Sequence, residues 1–149
     1  IEYVGNNTGG NTTVTNVTYN NLTLNNSSET FILGAALDVN DTLTISAGAL
    51  DVSGSNYGIT AKSWTDTSSG TFTEQSGTVT FDVASGTINS NETFNSVTIN
   101  HAGTTTLGAA LDLDDTLTIS GGALDVSGSN YGITLKSFTD SGAGTFTEQ

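Results

Sequence analysis

Residues 33–75 recur almost letter for letter as residues 107–149, 74 positions on, with 35 of the 43 aligned residues identical. A unit copied at this fidelity is expected to be one structural module stacked on its duplicate, each burying a face that the other would leave exposed. The eight exchanges are Val39/Leu113, Asn40/Asp114, Ala47/Gly121, Ala61/Leu135, Trp64/Phe138, Thr67/Ser141, Ser68/Gly142 and Ser69/Ala143. All but Asn40/Asp114 swap apolar for apolar or small for small, so one environment is expected to serve both copies. Weaker similarity runs outward, since Tyr19-Asn-Asn-Leu-Thr-Leu24 aligns with Phe94-Asn-Ser-Val-Thr-Ile99 and Ile1-Glu-Tyr3 with Val79-Thr-Phe81. The chain therefore reads as two units of about 75 residues, 1–75 and 76–149, with no distinct capping sequence expected.

What such a unit can fold into follows from its apolar residues. Gly, Ser, Thr and Asn supply 78 of 149 residues, a polarity that could signal disorder. Disorder is rejected because the apolar residues are not scattered. They fall at every second position in runs of four or five, the mark of half-buried strands. Candidate strands include 13–17, 21–24, 30–33, 36–39, 42–45, 49–52, 58–61, 70–74, 78–82 and 96–100, with counterparts in the second copy. Turn formers separate them, as at Asn40-Asp41, Ser46-Ala-Gly48 and Ser53-Gly-Ser-Asn56. The expected fold is all-β, a parallel β-solenoid (β-helix) of two repeats in which coils stack about 4.8 Å apart and like side chains ladder up the axis. The alternative is a tandem or donor-strand β-sandwich, which would need a bulkier inter-sheet core than Thr- and Ala-rich strands supply.

Charge and cysteine usage exclude several functions. The net charge is −13, with 15 acidic side chains opposed by Lys62 and Lys136 alone. Phosphate neutralisation needs cations that this chain lacks, so no nucleic acid partner is expected, and anionic membranes are disfavoured likewise. No apolar run reaches the ~20 residues of a membrane-spanning helix, so no membrane insertion is expected. Without cysteine, thiol catalysis, thiolate metal sites and disulfides are all absent. Glycosylation sequons stand at Asn6, Asn11, Asn16, Asn21, Asn25, Asn26, Asn40 and Asn91, six of them in the N-terminal segment 1–26. Asn6, Asn11, Asn16, Asn21 and Asn26 are spaced by five, which in an extended segment would point successive glycans to alternating sides. Covalent glycans and a cell-surface or extracellular location are the expectation, with a plain Thr-rich strand segment as the bland alternative.

The words Gly70-Thr-Phe-Thr-Glu-Gln-Ser-Gly-Thr-Val-Thr-Phe-Asp82, Phe94-Asn-Ser-Val-Thr-Ile-Asn100 and Asp115-Thr-Leu-Thr-Ile-Ser-Gly-Gly-Ala-Leu-Asp-Val126 resemble the repeats of large secreted surface proteins of the filamentous-haemagglutinin and autotransporter-adhesin kind. The resemblance spans most of the chain and implies β-helical stalks, adhesins or cell-surface coats. The dense sequons and scarce lysine are also similar to archaeal surface filament and sheath proteins.

Few residues suggest chemistry, and no enzyme is expected. Asp38, Asp41, Asp112, Asp114 and Asp115 form two carboxylate clusters whose alternate oxygens could hold Ca²⁺. Neither cluster matches a known calcium loop, so solvated turn carboxylates are the plainer expectation, and no cofactor is required. His101 lacks a counterpart in the other copy and reads as a surface-loop histidine. Lys62 and Lys136 are expected to pair with Asp66 and Asp140, and Trp64/Phe138 with Tyr57/Tyr131 to plug the interior rather than bind sugar. Thr-x-Thr at Thr42, Thr71, Thr78, Thr116 and Thr145 invites ice binding, but the irregular sequence spacing argues against a flat array. The expected function is a structural subunit, a homopolymer of an extracellular filament or sheath. It would self-assemble end to end through Ile1, Tyr3, Phe146, Glu148 and Gln149. The alternative is a glycan-binding adhesin stalk from a larger repeat protein.

Overall fold

A computed structural model describes residues 1–5, 9–126 and 128–147 and is all-β, with sixteen strands and no helix among those residues. Every strand pairing among them is parallel, each segment lying beside the one a coil earlier and the one a coil later. The fold is the parallel β-solenoid expected from the alternation, and the sandwich is set aside. Following one column shows the coil count. Tyr19 pairs with Val39, Val39 with Ala61, Ala61 with Phe81, Phe81 with Ile99, Ile99 with Ile119 and Ile119 with Asp140, giving about seven turns.

Each coil has three faces. The first carries residues 22–24, 43–45, 64–66, 86–89 and 105–107, and the second carries 29–33, 49–51, 70–73, 93–94 and 111–113. The third carries 37–39, 59–61, 79–81, 97–99 and 117–119. A three-residue word, apolar-Thr-apolar, builds most of the first and third faces. In Leu43-Thr-Ile45, Val79-Thr-Phe81, Val97-Thr-Ile99 and Leu117-Thr-Ile119 the flanking residues are buried and the threonine points outward, as a period of two requires. The inward residues form one cluster running from Val14 to Val126, each large side chain contributing roughly 1.5–3 kcal/mol by leaving water.

Corners differ from the expectation. Asn40-Asp41 and Ser46-Ala-Gly48 do not separate strands, because the extended backbone of Leu37–Asp51 passes through both while bending from the third face to the first and then the second. The strand Ile59–Asp66 likewise extends beyond 58–61 and brings in Trp64, while the strand expected at 13–17 lies earlier, at Gly10–Val14. Bends of two or three small residues suffice because each coil borrows its hydrogen bonds from its neighbours rather than from a local turn. The wider corner at 53–57 does close on itself: Asn56, in the left-handed region with φ 56°, donates its N–H to the Ser53 carbonyl at 2.9 Å.

The duplicated block is not a whole number of coils. Leu37 lies on the third face but its copy Leu111 on the second, Leu43 on the first but Leu117 on the third, and Leu50 on the second but Leu124 on the first. From Leu37 to Leu111 the chain crosses three coils and two further faces. Each copy keeps its own internal pairing, Leu37 beside Ile59 and Leu111 beside Ile133, yet sits a third of a turn away from its twin. The expectation that the copies share one environment and ladder with each other is therefore corrected. Laddering occurs between successive coils instead, as in Thr23, Thr44 and Thr65 on the first face.

Candidate functional site

The aromatic residues mark the interior and its ends. Trp64, wholly buried, meets Phe72 and Phe94 edge-on at centroid distances of 4.7 and 5.1 Å, and the two Phe rings lie 5.6 Å apart. Such ring pairs add roughly 0.5–1.5 kcal/mol each beyond their buried area. In the second copy Phe138 and Phe146 repeat the first two members at 6.3 Å, and among the described residues no third ring joins them. These two rings are 47 and 41 % exposed, and with Leu117, Ile133 and Leu135 they line a concavity of about 300 Å³ at the end of the interior. Tyr57 and Tyr131 pack half-buried against the core. Burial of Trp64 removes it as a sugar platform.

At the opposite end the interior closes on polar tips. Tyr19 donates its hydroxyl to the Thr15 carbonyl at 2.8 Å, Thr15 N–H donates to the Tyr3 hydroxyl at 3.1 Å, and the two hydroxyls meet at 3.0 Å. With the Tyr19 proton committed to Thr15, Tyr3 is the donor in that last bond. Ile1 is 70 % exposed, its ammonium donating to the Asn21 carbonyl and its own carbonyl accepting from Thr23 N–H, each at 2.8 Å. Of the expected assembly residues, Ile1 and Tyr3 thus lie at one end and Phe146 at the other. Glu148 and Gln149 lie outside the described residues.

Compared with known proteins, the chain matches no family model, no curated protein and no solved structure.

The sequons decorate corners and outward positions. Asn11, Asn16, Asn21, Asn25, Asn40 and Asn91 are exposed and Asn26 half-buried, while Asn6 lies outside the described residues. The spacing of five does not alternate sides, because segment 1–26 winds around more than one coil. Asn11 sits on the second face, and Asn16, Asn21 and Asn26 at three successive corners, so the sites encircle the axis. Asn25 and Asn26 already spend amide hydrogens on Glu2 Oε1 and the Val4 carbonyl.

Charged residues are arranged differently from expectation. Lys62 pairs with Asp41 of the coil before, at 3.1 Å, and not with Asp66. Asp66 instead turns inward, accepting from the Trp64 indole N–H at 3.2 Å, the Asn91 N–H at 3.1 Å and the Ser90 hydroxyl. Three donors explain the burial, whereas Asp140, at the equivalent position in the outermost described coil, is exposed and accepts from Gly142 N–H. Lys136 is exposed, and its backbone N–H donates to the Asp115 carbonyl. Asp38 accepts from the Thr18 hydroxyl. Among the described residues Asp38, Asp41, Asp112, Asp114 and Asp115 do not gather into a group of three or more metal-binding side chains.

His101 is not a surface-loop residue. It is 8 % exposed, where the strand Ser96–Leu107 bulges around a corner, with Nδ1 accepting from Gly103 N–H and Nε2 facing the Thr105 hydroxyl, both at 2.8 Å. A neutral ring with the proton on Nε2 satisfies both bonds. Burial holds the imidazole below its ordinary range, with Asp82 acting weakly in the opposite sense. The folded-state value lies below the unfolded one, so its contribution is complete above about pH 6.5 and fades as pH falls below that. Urea midpoints measured from about pH 7 to about 5 should fall for the wild type relative to His101→Gln. Parallel curves would exclude the coupling.

Proposed function

We propose that the chain is a structural subunit of an extracellular, N-glycosylated filament or sheath, assembled by end-to-end stacking of solenoids. One observation carries this reading: the Phe138–Phe146 layer duplicates the Trp64–Phe72 layer, and the segment that covers the latter, residues 79–99, has a relative in residues 1–24. In the first copy Val79 pairs with Ile59, Thr80 with Thr60 and Phe81 with Ala61. A second subunit placed by the same rule would set its Ile1, Glu2 and Tyr3 beside Ile133, Thr134 and Leu135. It would bring Tyr19 over Phe146 as Phe94 lies over Phe72. Because the copies differ by a third of a turn, so would successive subunits. The contact is heterologous and does not close, which gives a fibre and not a ring. A charge of −13 per subunit makes stacking depend on salt to screen it.

The chain has no cysteine, so engineered pairs report cleanly. Neighbouring residues on parallel strands are within disulfide reach. Under mild oxidation Glu2→Cys with Thr134→Cys is expected to give a ladder of covalent oligomers. A ladder from Glu2→Cys with Thr145→Cys alone would replace the turned register by a straight one. Monodisperse monomer by light scattering at high concentration and salt, with neither ladder, would end the filament reading.

A further inference from the structure

Two of the five Thr-x-Thr pairs, Thr78–Thr80 and Thr116–Thr118, fall into register on the third face with Ser96–Thr98 and Ser137–Thr139. Thr78 lies beside Ser96 and Thr80 beside Thr98, Thr116 beside Ser137 and Thr118 beside Thr139, while Val97 beside Leu117 joins the two halves. Coils of 18, 20 and 21 residues separate Thr78, Ser96, Thr116 and Ser137, so loops absorb the difference and the rows stay aligned. The inner column extends one coil further, Thr60 beside Thr80. No register shift interrupts residues 78–80, 96–98, 116–118 and 137–139.

The result is a grid of hydroxyls. Rows are about 4.8 Å apart and the two columns about 6.6 Å apart, from the ordinary spacing of parallel strands and of alternate residues along one. In the first three rows the residue between the columns, Val79, Val97 or Leu117, is buried, which fixes the threonines outward, and β-branching restricts their rotamers; Phe138, in the last row, is half-exposed. Among the described residues the hydroxyls of Thr80, Thr98 and Thr118 take no protein partner. None of the 17 charged side chains occupies a grid position, and Asp38, beside Thr60, bounds the inner column. A charge would hold its own hydration shell and disrupt any ordered water layer above it.

We propose that this face binds ice. Both grid spacings are close to oxygen repeats on a face of hexagonal ice, and a fixed array of hydroxyls and γ-methyls can hold a layer of water in that lattice. The ligand has to be periodic, because a single small molecule would engage one row and leave the others unused. Ordered polysaccharide is the rival periodic ligand, and the single half-exposed ring at the edge of the grid, Phe138, is not the repeated aromatic platform that sugar rings favour. The proposal is independent of end-to-end assembly.

The test uses the full chain in an ice-recrystallisation assay and single-crystal ice shaping, beside pull-down on crystalline chitin and cellulose. The wild type is expected to shape ice and arrest recrystallisation. Thr98→Lys with Thr118→Lys should abolish both while leaving the far-ultraviolet circular dichroism and melting temperature unchanged. Thr71→Lys, at an exposed position on the second face, should retain both. No effect of the wild type on ice, equal loss in the Thr71 variant, or retention by polysaccharide with no ice effect would each overturn the proposal.

Discussion

Trp64→Ala is expected to destabilise the solenoid by about 3–5 kcal/mol, the usual cost of deleting a fully buried large aromatic. Its ring occupies the interior between the strands of three coils, touching Phe72 and Phe94 and stacked in register on Leu43 and beneath Ile88. The cavity cannot collapse easily, since those neighbours belong to strands whose spacing the backbone hydrogen bonds fix. Trp64→Phe separates packing from polarity. It installs the residue found at the equivalent position 138, keeps most of the volume and removes one donor from the buried carboxylate of Asp66. Asp66 keeps the Ser90 hydroxyl and Asn91 N–H as donors, so about 1–3 kcal/mol is expected from losing one of its three hydrogen bonds. Urea unfolding followed by far-ultraviolet circular dichroism measures both variants, and a loss under about 1 kcal/mol for Trp64→Ala would contradict the packing described.

Gly48→Ala ranks next. Gly48 turns the chain from the first face to the second with φ at +86°, and a Cβ there would stand 2.2 Å from the Asn26 carbonyl oxygen and 2.7 Å from that of Glu29. Neither oxygen belongs to a flexible side chain, so the coils must part or the corner must rearrange. Left-handed strain and overpacking together suggest about 2–5 kcal/mol. Gly54, at the open corner, meets nothing within 4 Å, and Gly54→Ala should stay within about 0.5 kcal/mol of the wild type. Equal melting temperatures for the two variants would show that the Gly48 corner is not close-packed.

These two sites also show what a single sequence discloses. The apolar-Thr-apolar words gave away strands and their inward faces because alternation is local. Gly48 could be read as a bend, but whether the bend broke the strand depended on where its hydrogen bonds went, and they go to neighbouring coils. Grid register was hidden for a similar reason. Coil length varies by a few residues, so equal steps along the axis are unequal steps along the chain, and Thr78 and Ser96 meet only once the intervening corners are folded. His101 and Asp66 were unreadable because their burial depends on partners elsewhere, Gly103 and Thr105 at a bulge for one and Ser90 and Asn91 a coil away for the other. A histidine or carboxylate among polar neighbours carries no local sign of facing inward.

The third-of-a-turn slip between the copies works as a vernier between two periods, that of the sequence and that of the coil. Were the 74-residue unit repeated further on the same coil, the fourth unit would be the first to face as unit one does, after eleven coils or about 50 Å of axis. Any glycan, acid or hydroxyl row encoded once per unit would then trace a shallow spiral. Duplication of one unchanged segment would by itself clothe every side of the rod.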